Sequence, residues 1–324
     1  MKVLHITNAY PSEKEPVRGI FIKDQINSLK KNKNIEIDVQ IIDVPNSGII
    51  SYLKMIFILF KIRNNYDVFH CHHVLTGFIS SLVLPRKKII LSYMNDGMNN
   101  LKGRLRLLSP FIIWYLNNII LWKIYKTKIP KNAKHNSFYL PNGVNLNFFK
   151  KICKQDSRKL LTISNDELAI LFVSANSIRP EKRFDIYNKV VDLLEEDGIK
   201  VKKLVMSRVD RNDIPIWYSA ADLMLLTSDF EGSPNALKEA MACELPILAR
   251  DVGSVSDLLG DDFSSHLLTS SDPLVIKKSV DYALTNLDLD KTGANLRKRI
   301  IDLQLDEDSI AYNIFKVYLK INNS

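Results

Sequence analysis

Short apolar runs rich in β-branched residues alternate with amphipathic segments along most of the chain. That alternation predicts βαβ units and a parallel sheet covered by helices on both faces. Two such series are legible. The first has strand candidates at KVLHI, IEIDVQIID, DVFHC, KIILSY and SFYL. Between the first two lies GIFIKDQINSLKK, whose Phe21, Ile22, Ile26 and Leu29 share one helical face. The second series has strands at LAILFVSA, VKKLVMS, DLMLLTS, PILAR and HLLT. Its clearest helix is FDIYNKVVDLLEED, where Ile186, Val190, Val191, Leu193 and Leu194 make a broad apolar stripe. The Pro141-Asn142-Gly143 turn and the lysine-rich stretch after it join two series that each look complete. The expected division is therefore residues 1–150 and 151–324, two Rossmann-like α/β domains.

Two longer apolar stretches, IISYLKMIFILF and LLSPFIIWYLNNIILWKIY, fall short of the roughly 20 residues needed to span a bilayer. Both suit buried core helices. The second, with Trp114, Tyr115, Trp122 and Tyr125 between flanking cations, also suits an interfacial helix. The start, MKVLHITNAYPSEKE, reaches Pro and charge too soon for a signal peptide and reads as a buried strand. Cys71, Cys153 and Cys243 are too far apart for a zinc site or a disulfide framework, which fits a cytoplasmic protein.

Charge changes this picture more than composition does. Residues 1–150 hold 22 Lys and Arg against 8 Asp and Glu, a net +14; the remainder holds 23 against 28, a net −5. Between Gly97 and Lys150 there is no acidic residue, while Lys102, Arg104, Arg106, Lys123, Lys126, Lys128, Lys131 and Lys134 all occur. The first domain is expected to face something anionic, and an anionic membrane surface met through Lys102 to Lys134 is the expectation.

The chemistry concentrates in SAADLMLLTSDFEGSPNALKEAMACELPILARDVGSVSDLL. A strand ends at Ser228, a loop holds Glu231-Gly232-Ser233-Pro234, and a helix runs from about Asn235 to Cys243. A helix that starts just after a parallel strand presents unpaired N–H groups and a positive dipole end, a natural diphosphate site. Glu239, one turn inside, is placed to bind two ribose hydroxyls, and Glu231 to accept from sugar hydroxyls. Either glutamate alone would read as an ordinary solvated residue near a helix start.

The whole stretch, about forty continuous residues, resembles the signature of the family-four glycosyltransferases, also called glycosyl transferases group 1. These two-domain enzymes have the GT-B architecture, two Rossmann-like domains facing each other across a cleft, and move a sugar from a nucleotide donor with retention. The matching residues are EGSPNALKEAMA. The resemblance implies that Glu239 holds the ribose, Glu231 the transferred sugar, and Gly232, Ser233, Pro234, Asn235, Ala236 and Leu237 the rest of the donor. Glu244 departs from the pattern, since the family has Gly in this turn. FVSANSIRPEKRFD resembles the segment that supplies a Lys and an Arg to the diphosphate. Lys182 matches the lysine; the arginine position is Ser177, leaving Arg179 or Arg183 for the role.

The first half matches less fully. NAYPSEKEPVRGIF resembles the first strand-to-helix loop, where Gly19 lets backbone approach donor or acceptor. DVFHCHH resembles a strand ending in a His pair, which places His70, His72 and His73 at the cleft, with core histidines as the alternative. In IILSYMNDG a family histidine is replaced by Met94, leaving Asn95 and Asp96 as sugar or acceptor ligands.

The resemblance implies a retaining hexosyltransferase using a UDP-sugar, with GDP second, and a lipid-linked or glycan acceptor in bacterial surface polysaccharide synthesis. The last helix, about 308–322, is expected to pack back toward the first domain. No cofactor, metal or nucleic acid is expected, and the location is the cytoplasmic face of the membrane. A non-catalytic scaffold in polysaccharide assembly is the alternative. The lack of a GxGxxG after a strand argues against a dehydrogenase.

Overall fold

The computed structural model describes the chain apart from residues 14, 16, 45–47, 49, 95–103, 175–178 and 324; of 104–106 it describes the backbone alone. Contacts divide the chain into two compact units, Met1–Gly143 with Glu307–Ser324, and Val144–Asp306.

The first unit contains β1 (Lys2–Thr7), α1 (Ile20–Lys30), β2 (Glu36–Ile41), α2 (Ile50–Ile62), β3 (Val68–His72), α3 (Val74–Ser81), β4 (Ile89–Tyr93), α4 (Arg104–Ile119), β5 (Trp122–Tyr125) and β6 (Asn136–Tyr139). Its six strands are all parallel, in the order β2-β1-β3-β4-β5-β6. Every residue of β3 and β4 is buried, as a strand covered on both faces requires, whereas the edge strands β2 and β6 keep exposed positions. Tyr52, Met55 and Leu59 of α2, Val74 and Ile79 of α3, and Ile112 and Leu116 of α4 pack in one cluster on one face of this sheet. Gly77 lets α3 lie close, because a Cβ there would meet Leu91 Cδ1 at 2.7 Å.

The second unit contains α5 (Lys154–Leu160), β7 (Leu168–Val173), α6 (Phe184–Glu196), β8 (Val201–Met206), α7 (Ile214–Ala220), β9 (Leu223–Leu226), α8 (Asn235–Ala242), β10 (Ile247–Arg250), α9 (Val255–Leu259), β11 (Leu267–Leu268), α10 (Pro273–Asn286) and α11 (Leu289–Asp302). Its parallel sheet runs β11-β10-β9-β7-β8. The expected stripe of α6 is buried through Ile186, Tyr187, Val190, Val191 and Leu194. Two parallel Rossmann-like sheets thus make the α/β fold that the periodicity predicts.

The structure bears on three of the sequence expectations, each through a physical cause. The change of unit falls at Gly143, not near 150, because Val144 already bridges to Asp306 within the second unit. The last helix, α12 (Glu307–Asn322), is a member of the first unit, where Lys31 Nζ lies 2.6 Å from Asp308 Oδ1. LLSPFIIWYLNNIILWKIY is not one helix. Its α4 ends at Ile119, where Asn118 Nδ2 donates to Trp114 O at 2.6 Å, and Trp122–Tyr125 is a buried strand in register with Ile90–Tyr93 of β4. The proposed basic face shrinks accordingly. Lys123 is wholly buried and donates to Ile120 O and Lys134 O, and Lys126 is buried against Gln25 Oε1 at 2.9 Å.

Glu244 occupies the turn after α8 with φ +60°, the left-handed region in which a non-glycine residue costs about 1–2 kcal/mol. Its pairing with Lys151 at 3.7 Å is exposed and contributes little. Glu244→Gly is expected to raise stability by about 0.5–1 kcal/mol, the relief being partly offset by the entropy of an unfolded glycine. Urea unfolding checks this; an unchanged or lower midpoint would show that the turn is unstrained.

Candidate functional site

In an open parallel sheet, ligands bind beyond the carboxyl ends of the strands where the strand order reverses. In the second unit that point lies between the neighbours β7 and β9, and the motif residues follow β9 directly. The end of β9 is stitched to the turn Pro180–Lys182. Thr227 Oγ1 lies 2.9 Å from Lys182 O and 3.0 Å from Arg183 O, and Asp229 N donates to Glu181 O at 2.9 Å.

This stitching presents Lys182 to Glu231. Lys182 Nζ donates to Glu231 Oε1 at 2.6 Å, and Ser228 Oγ donates to the same oxygen at 2.7 Å. The two charged side chains are only 14% and 11% exposed, so the pair is shielded from solvent and worth more than a surface bridge. From the other side, Gly253 closes on the same loop. It has φ +63°, a Cβ there would lie 2.4 Å from Glu231 O, and Ser254 N donates to Gly232 O at 3.0 Å. Any side chain at 253 would force the loop to move.

Beyond the loop, α8 begins after Pro234 with no side-chain cap, and Ser233 Oγ and Asn235 Oδ1 are buried without a partner. The uncapped N–H groups and the Ser233 hydroxyl can donate to an anionic ligand, whereas Asn235 Oδ1, an acceptor, needs a donor such as a sugar hydroxyl. Leu237, Ala240 and Met241 anchor α8 through its buried side. Glu239 Oε2 accepts from Tyr218 OH at 2.9 Å, and Tyr218 also reaches Ala236 O at 3.3 Å. Burial, and then the Glu239 charge beside it, holds the Tyr218 phenol well above its ordinary pKa, so it remains a donor. Lys238, 1% exposed, is pushed down to about 7 by burial, opposed by the Glu239 charge.

Lys182, Glu231, Gly232, Ser233, Asn235 and Glu239 thus lie along one strand-end region of the second unit. The two arginine candidates are engaged elsewhere. Arg179 is exposed and pairs with Glu181 at 3.1 Å, and Arg183 pairs with Asp185 at 2.9 Å and Asp229 at 3.1 Å. Tyr218 and Gly253 escaped the sequence reading. Gly253 had a visible hint in DVGS; Tyr218, in the helix directly before the motif's strand, had none.

The first-unit candidates are placed separately. Gly19 has φ +64°, and a Cβ there would lie 2.2 Å from Ala9 O, so its close approach is to the chain's own first loop. The histidines of β3 belong to the interior, not to an open surface. His72 Nε2 lies 2.9 Å from His5 Nδ1, and His70 is bonded to Tyr318 OH at 2.6 Å and Ser92 Oγ at 2.7 Å, with no exposed surface on either histidine. Met94 is buried; Asn95, Asp96 and Ser177 lie outside the described residues.

Residues 187–302, all within the second unit, match the family Glycosyl transferases group 1. Over that span the second unit is similar to the family, and the two Rossmann-like sheets have the fold of GT-B glycosyltransferase structures. The relatives extend over more of the chain. TuaC of Bacillus subtilis (strain 168), a glycosyltransferase ascribed to teichuronic acid biosynthesis, is 23% identical over 83% of this chain and 85% of its own. The Escherichia coli UDP-Gal:alpha-D-GlcNAc-diphosphoundecaprenol alpha-1,3-galactosyltransferase is 21% identical over 70% and 69%. In fold, the chain resembles sucrose-phosphate synthase from Thermosynechococcus elongatus, with TM-score 0.74, 15% identity and 99% of both chains covered. It also resembles Anabaena Alr3699/HepE in complex with UDP, with TM-score 0.71, 14% identity, and 99% and 100% covered.

Proposed function

We propose that the protein moves a hexose-type sugar from a UDP-sugar to a lipid-linked or glycan acceptor, with retention, in bacterial surface polysaccharide synthesis. The observation that carries this reading is the shielded Lys182–Glu231 pair beside the uncapped start of α8. The UDP in the HepE complex and the UDP-Gal and diphosphoundecaprenol in the name of the E. coli relative support the choice of donor and acceptor class.

In this reading the diphosphate lies against the N-terminus of α8 and Lys182, with Arg179 turning in from solvent. Glu239, oriented by Tyr218, accepts from the ribose hydroxyls, and Glu231 accepts from the sugar. The sugar's bond to the β-phosphate oxygen breaks as the acceptor oxygen bonds to the same carbon and face, and the leaving phosphate takes the acceptor's proton. Lysine charge and helix dipole stabilise that leaving group, so the reaction needs neither a divalent metal nor a histidine at Met94. The enzyme works peripherally, on the cytoplasmic face of an anionic membrane.

The test is turnover of UDP-glucose and UDP-galactose on an undecaprenyl-diphosphate-linked sugar in excess chelator, with the product anomer read by proton NMR. Retained product at undiminished rate is expected. An inverted product, or activity restored only by magnesium or manganese, would overturn the mechanism.

A further inference from the structure

A helix packed on a sheet needs one apolar stripe; α2 and α4 each carry two. The inward side of α2, Tyr52, Met55 and Leu59, is already buried against the sheet, yet its outward side presents Leu53 (56% exposed), Phe57 (71%) and Phe60 (51%). These fall at helical spacing on one stripe. In α4, Ile112 and Leu116 face the core, while Leu107 (81%), Phe111 (58%) and Trp114 (62%) form a second outward stripe at the same spacing. Both helices belong to the cluster that also holds α3, with Phe78 of α3 edge-on to Tyr115 of α4, and so lie on the same face of the sheet. Two outward apolar stripes on one face are unusual for a surface left to water.

Charge identifies what covers them. Neither α2, α3 nor α4 contains an acidic residue, and from residue 50 to residue 150 Asp67 and Asp96 stand against 15 Lys and Arg. Lys54 and Lys61 are exposed beside the stripe of α2, and the Arg63 guanidinium sits 4.0 Å from the centre of the Phe60 ring. Apolar side chains bordered by long cations suit a layer whose interior is hydrocarbon and whose surface is anionic, because the stems lie along the apolar region while the heads reach phosphate. A second copy would set the same cations against each other.

We infer that the outward faces of α2 and α4 insert into the headgroup–acyl boundary of an anionic bilayer, with Leu53, Phe57, Phe60, Leu107, Phe111 and Trp114 as the inserted side chains. This rests on the peripheral membrane location proposed above. It differs from the sequence expectation in placing the attachment on apolar insertion and on α2, not on the cations from Lys102 to Lys134. Among those, Lys123 and Lys126 are buried.

The experiment is cosedimentation of the full chain with phosphatidylcholine vesicles, with and without phosphatidylglycerol, at low and high salt. Phe57→Asp and Trp114→Asp are compared with the double variant Lys54→Gln/Lys61→Gln, and melting curves check that each is folded. Binding to phosphatidylglycerol vesicles should persist at high salt, and each aspartate variant should weaken it by at least about tenfold at both salts, more than the double variant does. Binding that high salt abolishes and that the aspartate variants leave unchanged would sink the insertion while the membrane location stands. No binding to either vesicle at low salt would remove both. A dimer that the aspartate variants break, with vesicle binding unaffected, would assign the surface to a second copy and overturn the proposal.

Discussion

Glu239→Ala is expected to weaken UDP-sugar binding by roughly 10- to 150-fold while the protein stays folded. In the proposed site this carboxylate accepts from the ribose hydroxyls, and losing hydrogen bonds to a charged group costs about 1.5–3 kcal/mol. Stability should change much less, because the side chain is only half-buried and Tyr218, its partner, has a second acceptor in Ala236 O at 3.3 Å. Tyr218→Phe should have a smaller effect in the same direction, since it removes the group that orients the carboxylate but not the carboxylate itself. Calorimetric titration with UDP and UDP-sugars, beside melting curves, separates the outcomes. Donor affinity unchanged in Glu239→Ala would remove this residue from the site, and affinity lost together with the fold would make it a structural residue.

The second large effect is expected from acid. His5, His70, Tyr318 and Ser92 form a continuous buried chain with His72, with His5 Nε2 3.1 Å from Tyr318 OH. Each inner member can both give and accept one proton only if all three imidazoles are neutral. Burial, then the Lys30 and Lys126 charges, pushes His5 down to about 3. Burial, then neighbouring histidines and Lys126, puts His70 and His72 well below the ordinary value. In the unfolded chain these groups titrate near 6.5, so below that pH the unfolded state binds more protons and gains free energy. The stabilisation is complete above about 6.5 and is lost as pH falls, for His5 toward 3 at about 1.4 kcal/mol per pH unit, with His70 and His72 acting in the same direction. For His5 the loss at pH 5 is about 2 kcal/mol, and His70 and His72 add to it in the same direction. Urea unfolding between pH 6.5 and 5, above the range where carboxylates titrate, is the measurement. A slope corresponding to less than one proton would show that the histidines accept charge in the folded state.

Much of this protein is legible along the chain because its elements are local. The alternation of apolar runs and amphipathic segments follows from strands buried on both faces and helices buried on one, and ten of the eleven strands among the described residues lie where that pattern puts them. EGSPNALKEAMA could be placed on a strand, loop and helix start for the same reason, and α8 begins at Asn235. What escaped required knowledge of which distant segments meet. In the apolar stretch around Asn117 and Asn118, helix and strand look alike, and β5 exists because β4 offers it an unpaired edge. The DVFHCHH histidines could equally serve a surface or a core, and it is His5 on the adjacent strand and Tyr318 from the last helix that make them interior. Tyr218 finds Glu239, and Thr227 and Asp229 hold the turn bearing Lys182, across separations of 21 to 48 residues. Periodicity reports which side of an element avoids water. Only the packed fold decides what lies opposite, and on α2 it decides that a second apolar side is left facing outward.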